Sequence, residues 1–389
     1  MRGGSDAGTL AGRCAVTERW DAIVVGAGPA GCAAAYDLAA AGHAVLLADR
    51  AAFPRHKACA GGLTRKTLRA LRYSVAPVTR TTVCELVVEK KRGEAATLAS
   101  RDPVCAMTVR EELDAYCLRQ TLERGAAFAR IGAMTAIDSG AGGVTVRSED
   151  ARFEGRFLIG ADGVHSRVRQ LAFAERPAWI RRGFALEAQA QPANGWSSGV
   201  VFAFDAVRQG YGWIFPKRDH WNAGLYTACA AEKLDRARLV AWIQERFGEA
   251  RVEAITGQYL GFGAEDAPAG TGRVFLVGDA GGFADALTGE GIFGAIASGQ
   301  AAAAAIDGEL RKGRPAQRTF AALTARLRED LRLSASGARW FYSHRDAGFG
   351  ALTSPLLRGA VIRAYADGTK IGGLAKAARR FAGALAAAR

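Results

Sequence analysis

Hydrophobic and polar positions follow two different patterns along the chain. Short apolar runs at 21–25 and 44–48 are typical of buried parallel strands, and the Ala- and Leu-rich segment 29–41 between them is typical of a helix. This order predicts a βαβ unit on a parallel sheet. Similar patterns predict two further strands and two further helices, at 153–160, 274–278, 111–125 and 291–306.

The middle of the chain has a different pattern. Apolar and polar residues alternate there in short segments separated by turn residues, which is typical of antiparallel strands with one buried face. These segments are 81–89, 143–147, 183–190, 199–205 and 221–228. From 317 onward the pattern is helical apart from the Gly- and Pro-punctuated stretch 346–359. The sequence thus predicts an α/β protein with an antiparallel-sheet (α+β) insert and a helical C-terminus.

A glycine-rich turn, Gly26-Ala27-Gly28-Pro29-Ala30-Gly31, joins the first strand to the first helix. Gly26 permits the tight turn, Gly28 lets the backbone approach a pyrophosphate, and Gly31 lets the helix pack closely on the strand. The first helical residues, Ala30 among them, offer N–H groups to phosphates. Asp49 ends the second strand and is placed to accept hydrogen bonds from an adenosine ribose. A Rossmann-type dinucleotide site is therefore predicted.

Two later segments indicate which dinucleotide binds. Leu158–Arg169 contains Asp162-Gly163, and Val274–Phe283 contains Gly278-Asp279. These segments resemble the second and third FAD motifs of the p-hydroxybenzoate-hydroxylase-like flavoproteins. The resemblance implies that the cofactor is FAD, that Asp162 lies near its pyrophosphate, and that Asp279 binds its ribityl chain.

Three more segments resemble the geranylgeranyl reductase family within that superfamily. They are Phe53–Leu63, Tyr211–Lys217 and Leu287–Ile292, and the resemblance runs from about Asp21 to Ala305. It implies hydride transfer from reduced FAD to carbon–carbon double bonds of an isoprenoid, either a geranylgeranyl-type lipid or a polyprenyl quinone. The implied electron donor is NADPH or a ferredoxin-like protein. In one departure, this chain has Ala60 where many members have Gly directly after the motif cysteine.

The resemblance also adds cofactor-binding candidates. Arg110 resembles a family arginine that reaches toward the cofactor, and Gly289-Glu290-Gly291 would begin a helix whose N–H groups face the flavin pyrimidine edge. The alternative for Arg110 is a solvated charge at a helix start, and the alternative for Gly289-Glu290-Gly291 is an ordinary helix start without a ligand. The remaining predicted cofactor-binding residues are Arg50, Lys57, Gly61, Gly62, Gly278 and Ile292.

Cys59 is the candidate catalytic cysteine. It follows Arg55 and Lys57, and nearby cations can lower the pKa of a thiol, so it could donate a proton or contact the flavin. The alternative is a small buried hydrophobe. The seven cysteines and five histidines have no metal-ligand spacing, and no metal site is predicted.

Tyr211, Trp213 and Phe215 alternate along a predicted strand that Pro216 ends, so the three aromatic side chains share one face. Alternating aromatic residues are equally typical of core packing. The family resemblance favours a tunnel for the isoprenoid, and all four residues are predicted to bind substrate. Tyr211 and Trp213 are also candidate catalytic residues.

The charge of the chain suggests a surface partner. The formal net charge is +14, and residues 321–389 contain twelve Lys/Arg against four Asp/Glu. A helix from Ile371 would carry an apolar stripe beside basic residues, which predicts contact with an anionic membrane surface or, alternatively, packing on the protein itself. The chain lacks a run of eighteen apolar residues and a secretory pattern, so a cytoplasmic location is predicted, with peripheral membrane contact.

These patterns divide the chain, predicted to be a monomer, into four regions. A flexible leader spans 1–19. The FAD-binding domain is discontinuous and comprises 20–73, 101–180 and 267–320. An antiparallel-sheet substrate domain comprises 74–100 and 181–266, and a basic helical C-terminal region spans 321–389.

Two other functions stay open at this point. The same fold serves flavin-dependent monooxygenases and halogenases, although the Trp-x-Trp-x-Ile-Pro segment of halogenases is absent and Tyr211–Pro216 only resembles it. The second alternative is a nucleic-acid-binding protein, a function that would explain the net charge of +14. The basic residues are not interleaved with aromatic residues in a recognisable module, so no nucleic-acid partner is predicted.

Overall fold

A computed structural model describes residues 19–173, 179–192, 198–268 and 270–368. The strands are β1 (Trp20–Val25), β2 (Val45–Asp49), β3 (Gly62–Thr64), β4 (Thr79–Val83), β5 (Glu85–Lys91), β6 (Glu94–Ala99), β7 (Cys105–Thr108), β8 (Ala127–Arg130), β9 (Met134–Gly140), β10 (Gly143–Ser148), β11 (Arg152–Gly160), β12 (Arg181–Pro192), β13 (Val200–Ala203), β14 (Gly210–Pro216), β15 (Trp221–Thr227), β16 (Ala250–Phe262) and β17 (Val274–Leu276). The α-helices are α1 (Pro29–Ala40), α2 (Arg65–Ala70), α3 (Arg110–Glu123), α4 (Arg167–Ala172), α5 (Arg236–Phe247), α6 (Ile292–Lys312), α7 (Ala316–Ser343), α8 (Arg345–Thr353) and α9 (Arg358–Asp367).

The first sheet has the order β8-β2-β1-β11-β10-β9, and β17 also pairs with β11. Pairing is parallel among β8, β2, β1, β11 and β17, whereas β9 and β10 are antiparallel additions. Successive side chains on a strand point to opposite faces. Val24 accordingly packs in the core that includes α1 and α6, and its neighbour Ile23 packs in the core on the other face.

The second sheet has the order β16-β12-β15-β14-β13-β5-β6. The α5 helix covers one face, where Leu239 and Ile243 pack with Ile214 of β14. The predicted insert was antiparallel throughout, but β13 pairs with β5 in parallel, so the sheet is mixed. A third, three-stranded sheet has the order β3-β7-β4.

Several predicted elements differ in extent. The segment 81–89 contains parts of two strands, because the chain leaves the small sheet at Cys84 and enters the large one with β5. The predicted strand 274–278 ends at Leu276, since Gly278 has a positive φ of 56° and begins a 3-10 turn. Part of the predicted break at 346–359 is helical, as α8 shows.

The C-terminal part of the described chain consists of helices. The α7 helix begins at Ala316 and continues through Ser343 without a break at residue 320, where a domain boundary was predicted. Within residues 19–368, apart from the undescribed gaps, no helix is long and apolar enough to cross a membrane. The leader up to residue 18 and the predicted amphipathic helix from residue 371 lie outside the described residues.

Candidate functional site

A cavity of about 840 Å³ lies where the two large sheets face each other. One wall comes from the segments that follow the carboxyl ends of β1, β2, β11 and β17, and the other from side chains of β12, β14 and β16. The carboxyl ends of parallel strands are the usual place for a ligand in an α/β sheet. The predicted site residues that line the cavity are Gly26, Gly28, Ala30, Asp49, Arg50, Lys57, Cys59, Gly61, Gly62, Arg110, Asp162, Tyr211, Trp213, Phe215, Gly278, Asp279, Gly289, Gly291 and Ile292.

Two predicted site residues are not on the cavity wall. A Cβ atom at Gly31 would lie 1.8 Å from the Gly26 carbonyl oxygen, so Gly31 serves the close packing of α1 on β1. Pro216 is buried at the end of β14, where it pairs with Trp221. Pro216 is not among the residues that line the cavity, and its contact with substrate stays a prediction.

The glycine turn leaves space that a dinucleotide can occupy. Gly28 caps the N-terminus of α1 in an extended conformation, and no side chain caps that helix. A Cβ atom placed on Gly28 would meet only Arg55 Nη2, at 3.8 Å. The free N–H groups of the first helical turn therefore face an open part of the cavity, as phosphate binding requires. Gly26 has a φ of +104°, and a Cβ atom there would lie 2.4 Å from the Ala161 carbonyl oxygen.

Two aspartates beside this turn already bind main-chain N–H groups. Asp49 accepts hydrogen bonds from Ala27 N–H at 2.7 Å and from Ala51 N–H at 2.8 Å. Asp162 accepts hydrogen bonds from Arg167 N–H at 2.7 Å and from Val168 N–H at 3.0 Å, which fixes the start of α4. The Asp162 carboxylate thus shapes the cavity wall, while the adjacent Gly163 leaves open space in front of it.

Asp279 lies in the 3-10 turn after β17 and faces two cations. Burial raises the pKa of its carboxyl, and the charges of Lys57 and Arg110 oppose that change. Burial also lowers the pKa of Lys57, and the neighbouring Arg110 lowers it further. An acid and two cations at one point of the wall can bind hydroxyl groups and anionic groups of a ligand.

Arg110 is a buried ion-paired side chain and not a solvated charge at a helix start. Its Nε and Nη2 donate hydrogen bonds to Asp114, both at 2.8 Å, and its side chain is 6% exposed. Arg55 reaches the same carboxylate at 3.1 Å. Arg110 also interacts with the Cys59 side chain, so α3 connects the cation to the cysteine loop.

The loop from Cys59 to Gly61 is held in place from several sides. Cys59 N–H donates a hydrogen bond to Glu187 Oε1 at 2.9 Å, and Lys217 Nζ donates one to the Ala60 carbonyl at 2.6 Å. Gly61 has a φ of +64°, and its carbonyl accepts a hydrogen bond from Thr108 N–H at 2.8 Å. Ala60, the departure from the family pattern, is therefore accommodated in a loop that its neighbours fix.

Aromatic side chains form the opposite part of the cavity. Tyr211, Trp213 and Phe215 face it together from β14, and Phe202 packs edge-on against Tyr211 at 5.3 Å and against Phe215 at 5.7 Å between ring centroids. The Tyr211 hydroxyl donates a hydrogen bond to the Thr288 carbonyl. These residues pack with one another and also line the cavity, and their contact with an isoprenoid stays a prediction.

Three polar residues around the aromatic part were missed by the sequence analysis: Glu187 lines the cavity, and Lys217 and Asn222 each hydrogen-bond to a residue of the lining. Glu187 on β12 is buried, which raises the pKa of its carboxyl to about 7. Lys217, just after β14, is also buried, and burial lowers the pKa of its ammonium group to about 8. Asn222 Oδ1 on β15 accepts a hydrogen bond from Trp213 Nε1–H at 2.7 Å. A single acid among apolar residues at 184–188 was the one signal that could have identified Glu187.

The fold and the site together define a flavoprotein of the FAD-binding class. A family model described as an FAD binding domain matches residues 19–317, which is more than half of the chain. The geranylgeranyl diphosphate reductase of Rhodobacter capsulatus is 29% identical over 313 residues, covering 77% of this chain and 78% of that protein. The chain belongs to the FAD-binding domain family and, within it, to the geranylgeranyl reductase family.

Solved structures show the same fold. A geranylgeranyl bacteriochlorophyll reductase-like protein of Thermoplasma acidophilum superposes with a TM-score of 0.74 at 17% identity, over 94% of this chain and 99% of that one. A flavin-dependent brominase superposes with a TM-score of 0.74 at 19% identity, over 94% and 98% of the two chains. The predictions of the fold class, the family and an FAD-dependent oxidoreductase are confirmed.

Proposed function

We propose that this protein is a reductase that transfers hydride from reduced FAD to carbon–carbon double bonds of an isoprenoid lipid. The observation that carries the proposal is the continuity of one cavity. Its glycine-lined end suits a dinucleotide, and its other end is an aromatic wall formed by Tyr211, Trp213 and Phe215. The names of relatives, such as the geranylgeranyl diphosphate reductase of Rhodobacter capsulatus, support the isoprenoid class.

The chain contributes binding, orientation and exclusion of water. The N-terminus of α1 at Gly28 would hold the pyrophosphate of the cofactor, and the Asp279 carboxyl would hold its hydroxyl groups beside Lys57. Gly291 caps α6, whose first N–H groups have no side-chain cap and would face a bound flavin. When bound, reduced FAD supplies the hydride.

The aromatic wall binds the apolar chain of the substrate. Tyr226 Oη–H donates a hydrogen bond to the Ala286 carbonyl at 3.0 Å, and Tyr211 likewise donates to Thr288. Because these hydroxyl groups are bonded to the main chain, the rings present mainly carbon to the cavity. The hydrocarbon chain of an isoprenoid, with its isolated double bonds, fits such a surface, whereas a charged head group would stay outside it.

The source of electrons and the membrane contact are part of the same proposal. NADPH or a ferredoxin-like protein supplies the electrons, and the chain acts as a monomer at an anionic membrane surface from which it takes the lipid. The excess of basic residues in 321–389 supports the membrane contact.

The decisive experiment is anaerobic incubation of the reduced FAD-loaded protein with geranylgeranyl diphosphate and, separately, with a polyprenyl quinone. We expect a mass gain in steps of two hydrogens, together with reoxidation of the flavin. The FAD-free Gly28→Val protein is the negative control. Substrate-dependent oxygen uptake without any mass gain of this kind would instead identify a monooxygenase.

A further inference from the structure

Glu187 occupies a central position on the cavity wall. On β12, Ala185 and Glu187 line the cavity, whereas Leu186 and Ala188 point to the opposite face and pack beneath α5. The register between β12 and β16 shifts just after Glu187, where β16 contains an extra residue. Such bulges are enriched near active sites because they redirect side chains.

The hydrogen bonds of Glu187 define its orientation. Oε1 accepts the Cys59 N–H at 2.9 Å, and the carboxyl also interacts with the Asn222 side chain. Since Asn222 Oδ1 already accepts from Trp213 Nε1–H, its amide nitrogen is the group left to donate to Glu187. The carboxyl therefore lies between the cysteine loop and the aromatic wall.

The charged groups around Glu187 come from different elements. Arg110 on α3 and Lys217 at the end of β14 both favour its ionised form. Cys59 contributes a thiol from the loop. The residues of β16 that line the cavity are all uncharged, and two of them, Thr256 and Gln258, hydrogen-bond to His56 and Lys57 respectively. Glu187 is only 5% exposed. The effect of this burial on its pKa is larger than the opposite effect of the two cations, so the pKa of Glu187 is raised to about 7.

We propose that Glu187 is the catalytic acid that protonates the substrate carbon next to the one that receives the hydride. This inference rests on the proposed function. It is carried by the placement of a buried carboxyl on the cavity wall between Cys59 and the aromatic residues, where the Glu187 side chain would meet an alkene bound in the cavity. Cys59, the acid candidate from the sequence, then positions the loop through its N–H group.

The step balances for each double bond. The π bond breaks, one carbon gains a hydride from reduced FAD, which becomes oxidised, and the adjacent carbon gains the proton of the Glu187 carboxyl. Glu187 is left as a carboxylate beside Lys217, and a proton from solvent restores it. A carboxyl that titrates near neutrality can complete this cycle repeatedly.

The test compares Glu187→Gln with Glu253→Gln in the FAD-loaded protein. The amide introduced by E187Q keeps an oxygen to accept the Cys59 N–H but has no acidic proton to give, whereas Glu253 is an exposed acid on the neighbouring strand β16, paired with Arg251. We expect E187Q to slow the alkene-dependent reoxidation of reduced flavin about a hundredfold or more. In E187Q, flavin content and the rate of reoxidation by oxygen should stay within about twofold of wild type. E253Q should match wild type in flavin content, in reoxidation by oxygen and in alkene-dependent reoxidation.

Two further readouts do not depend on that rate alone. Alkene-dependent reoxidation in wild type should fall above about pH 7, and this falling limb should vanish in E187Q. An infrared titration of the protein should show a buried carboxyl losing its proton near the same pH in wild type and in E253Q, but not in E187Q. Glu187→Asp keeps a carboxyl on a side chain that is one methylene shorter, so its pH profile should retain a falling limb. This variant replaces E187Q in the test if E187Q does not fold.

The outcomes separate this inference from the proposed function. If wild type saturates the isoprenoid and E187Q does so within about threefold with the same falling limb, or if the carboxyl titration persists in E187Q, Glu187 is not the acid. If wild type saturates neither isoprenoid, both proposals fail.

Discussion

The two ends of the cavity are built in different ways. The dinucleotide end consists of main-chain groups in short turns, where Gly26 permits the tight turn, Gly28 leaves room and helix α1 offers its N–H groups. The aromatic end consists of buried side chains from several elements far apart in the chain, with Glu187 and Lys217 among them. The first end depends on the absence of side chains, and the second on their packing and protonation.

This difference predicts opposite responses to mutation. Adding a side chain at Gly28, in the dinucleotide end, should abolish cofactor binding without unfolding the chain, because the space there is open to a ligand. Removing a side chain at the aromatic end should lower the free energy of unfolding, because the space there is filled by protein.

Gly28→Val should have the largest effect, the loss of FAD. Gly28 has a φ of −80° and a ψ of −175°, which valine adopts readily, and its side chain would project where only Arg55 lies within 4 Å. We expect FAD affinity to fall at least about a hundredfold, with the thermal unfolding temperature of the FAD-free protein unchanged, as measured by absorbance and circular dichroism. Gly140→Val, which adds the same side chain in open space on β9, should bind FAD normally. A yellow G28V protein with full FAD content would contradict the account.

The same contrast explains what the sequence could predict. The turn at Gly26–Gly31 and the Asp49 at the end of β2 are local signals, and the structure brings them together as predicted. The strand β14 and its alternating aromatic residues were also predictable. The long strand β16 and helix α5 were not predicted, although Leu239, Trp242 and Ile243 have helical spacing.

Long-range contacts account for most of what sequence reasoning missed. Glu187 and Cys59 are 128 residues apart, and Lys217 and Ala60 are 157 residues apart, so no local pattern reveals these pairs. The altered pKa values of Glu187 and Lys217 arise from burial, which becomes known only when the sheets are packed. Pro216 is a different case, because strand alternation alone points it to the opposite face from Tyr211, Trp213 and Phe215.

Trp213→Ala should have the next largest effect, at the aromatic end. Trp213 is buried, packs over Gly224, and its loss leaves a large void and an unpaired Asn222 oxygen. We expect the free energy of unfolding in urea to fall by about 3–5 kcal/mol while the folded protein still binds FAD. Trp340→Ala, which removes a half-buried indole stacked on His344 at the end of α7, should cost clearly less. Equal losses in the two variants would contradict the packing role of Trp213.

Glu187→Gln should change how stability depends on pH. The pKa of Glu187 is raised from 4.5 to about 7 in the folded chain, so the folded chain holds this proton more tightly than the unfolded chain does. The free energy of unfolding therefore falls as the pH rises from about 4.5 to about 7, by about 1–3 kcal/mol. The pKa of Lys217 is lowered to about 8, so this group affects the free energy of unfolding at higher pH, in a range separate from that of Glu187.

Urea unfolding of FAD-free E187Q across this pH range should show a smaller decline than wild type. The variant should gain stability relative to wild type at pH 8 and lose that advantage below about pH 5. Glu253→Gln removes an exposed carboxyl and should follow the wild-type curve. Parallel curves for E187Q and wild type would show that Glu187 titrates as an ordinary acid.

Asp367→Asn should have the smallest effect, by loosening the helix that closes the aromatic end. Asp367 ends α9 and accepts hydrogen bonds from Arg65 Nε at 3.0 Å and from Arg65 Nη2 at 2.8 Å, while Tyr365 two residues earlier lines the cavity. Losing part of this ion pair should reduce the free energy of unfolding by about 1–2 kcal/mol and raise the KM for the isoprenoid a few-fold, with FAD content unchanged. Glu329→Gln breaks an exposed pair with Arg332 on α7 and should change neither quantity measurably. A drop in FAD content in D367N would show that the two ends are less independent than their construction implies.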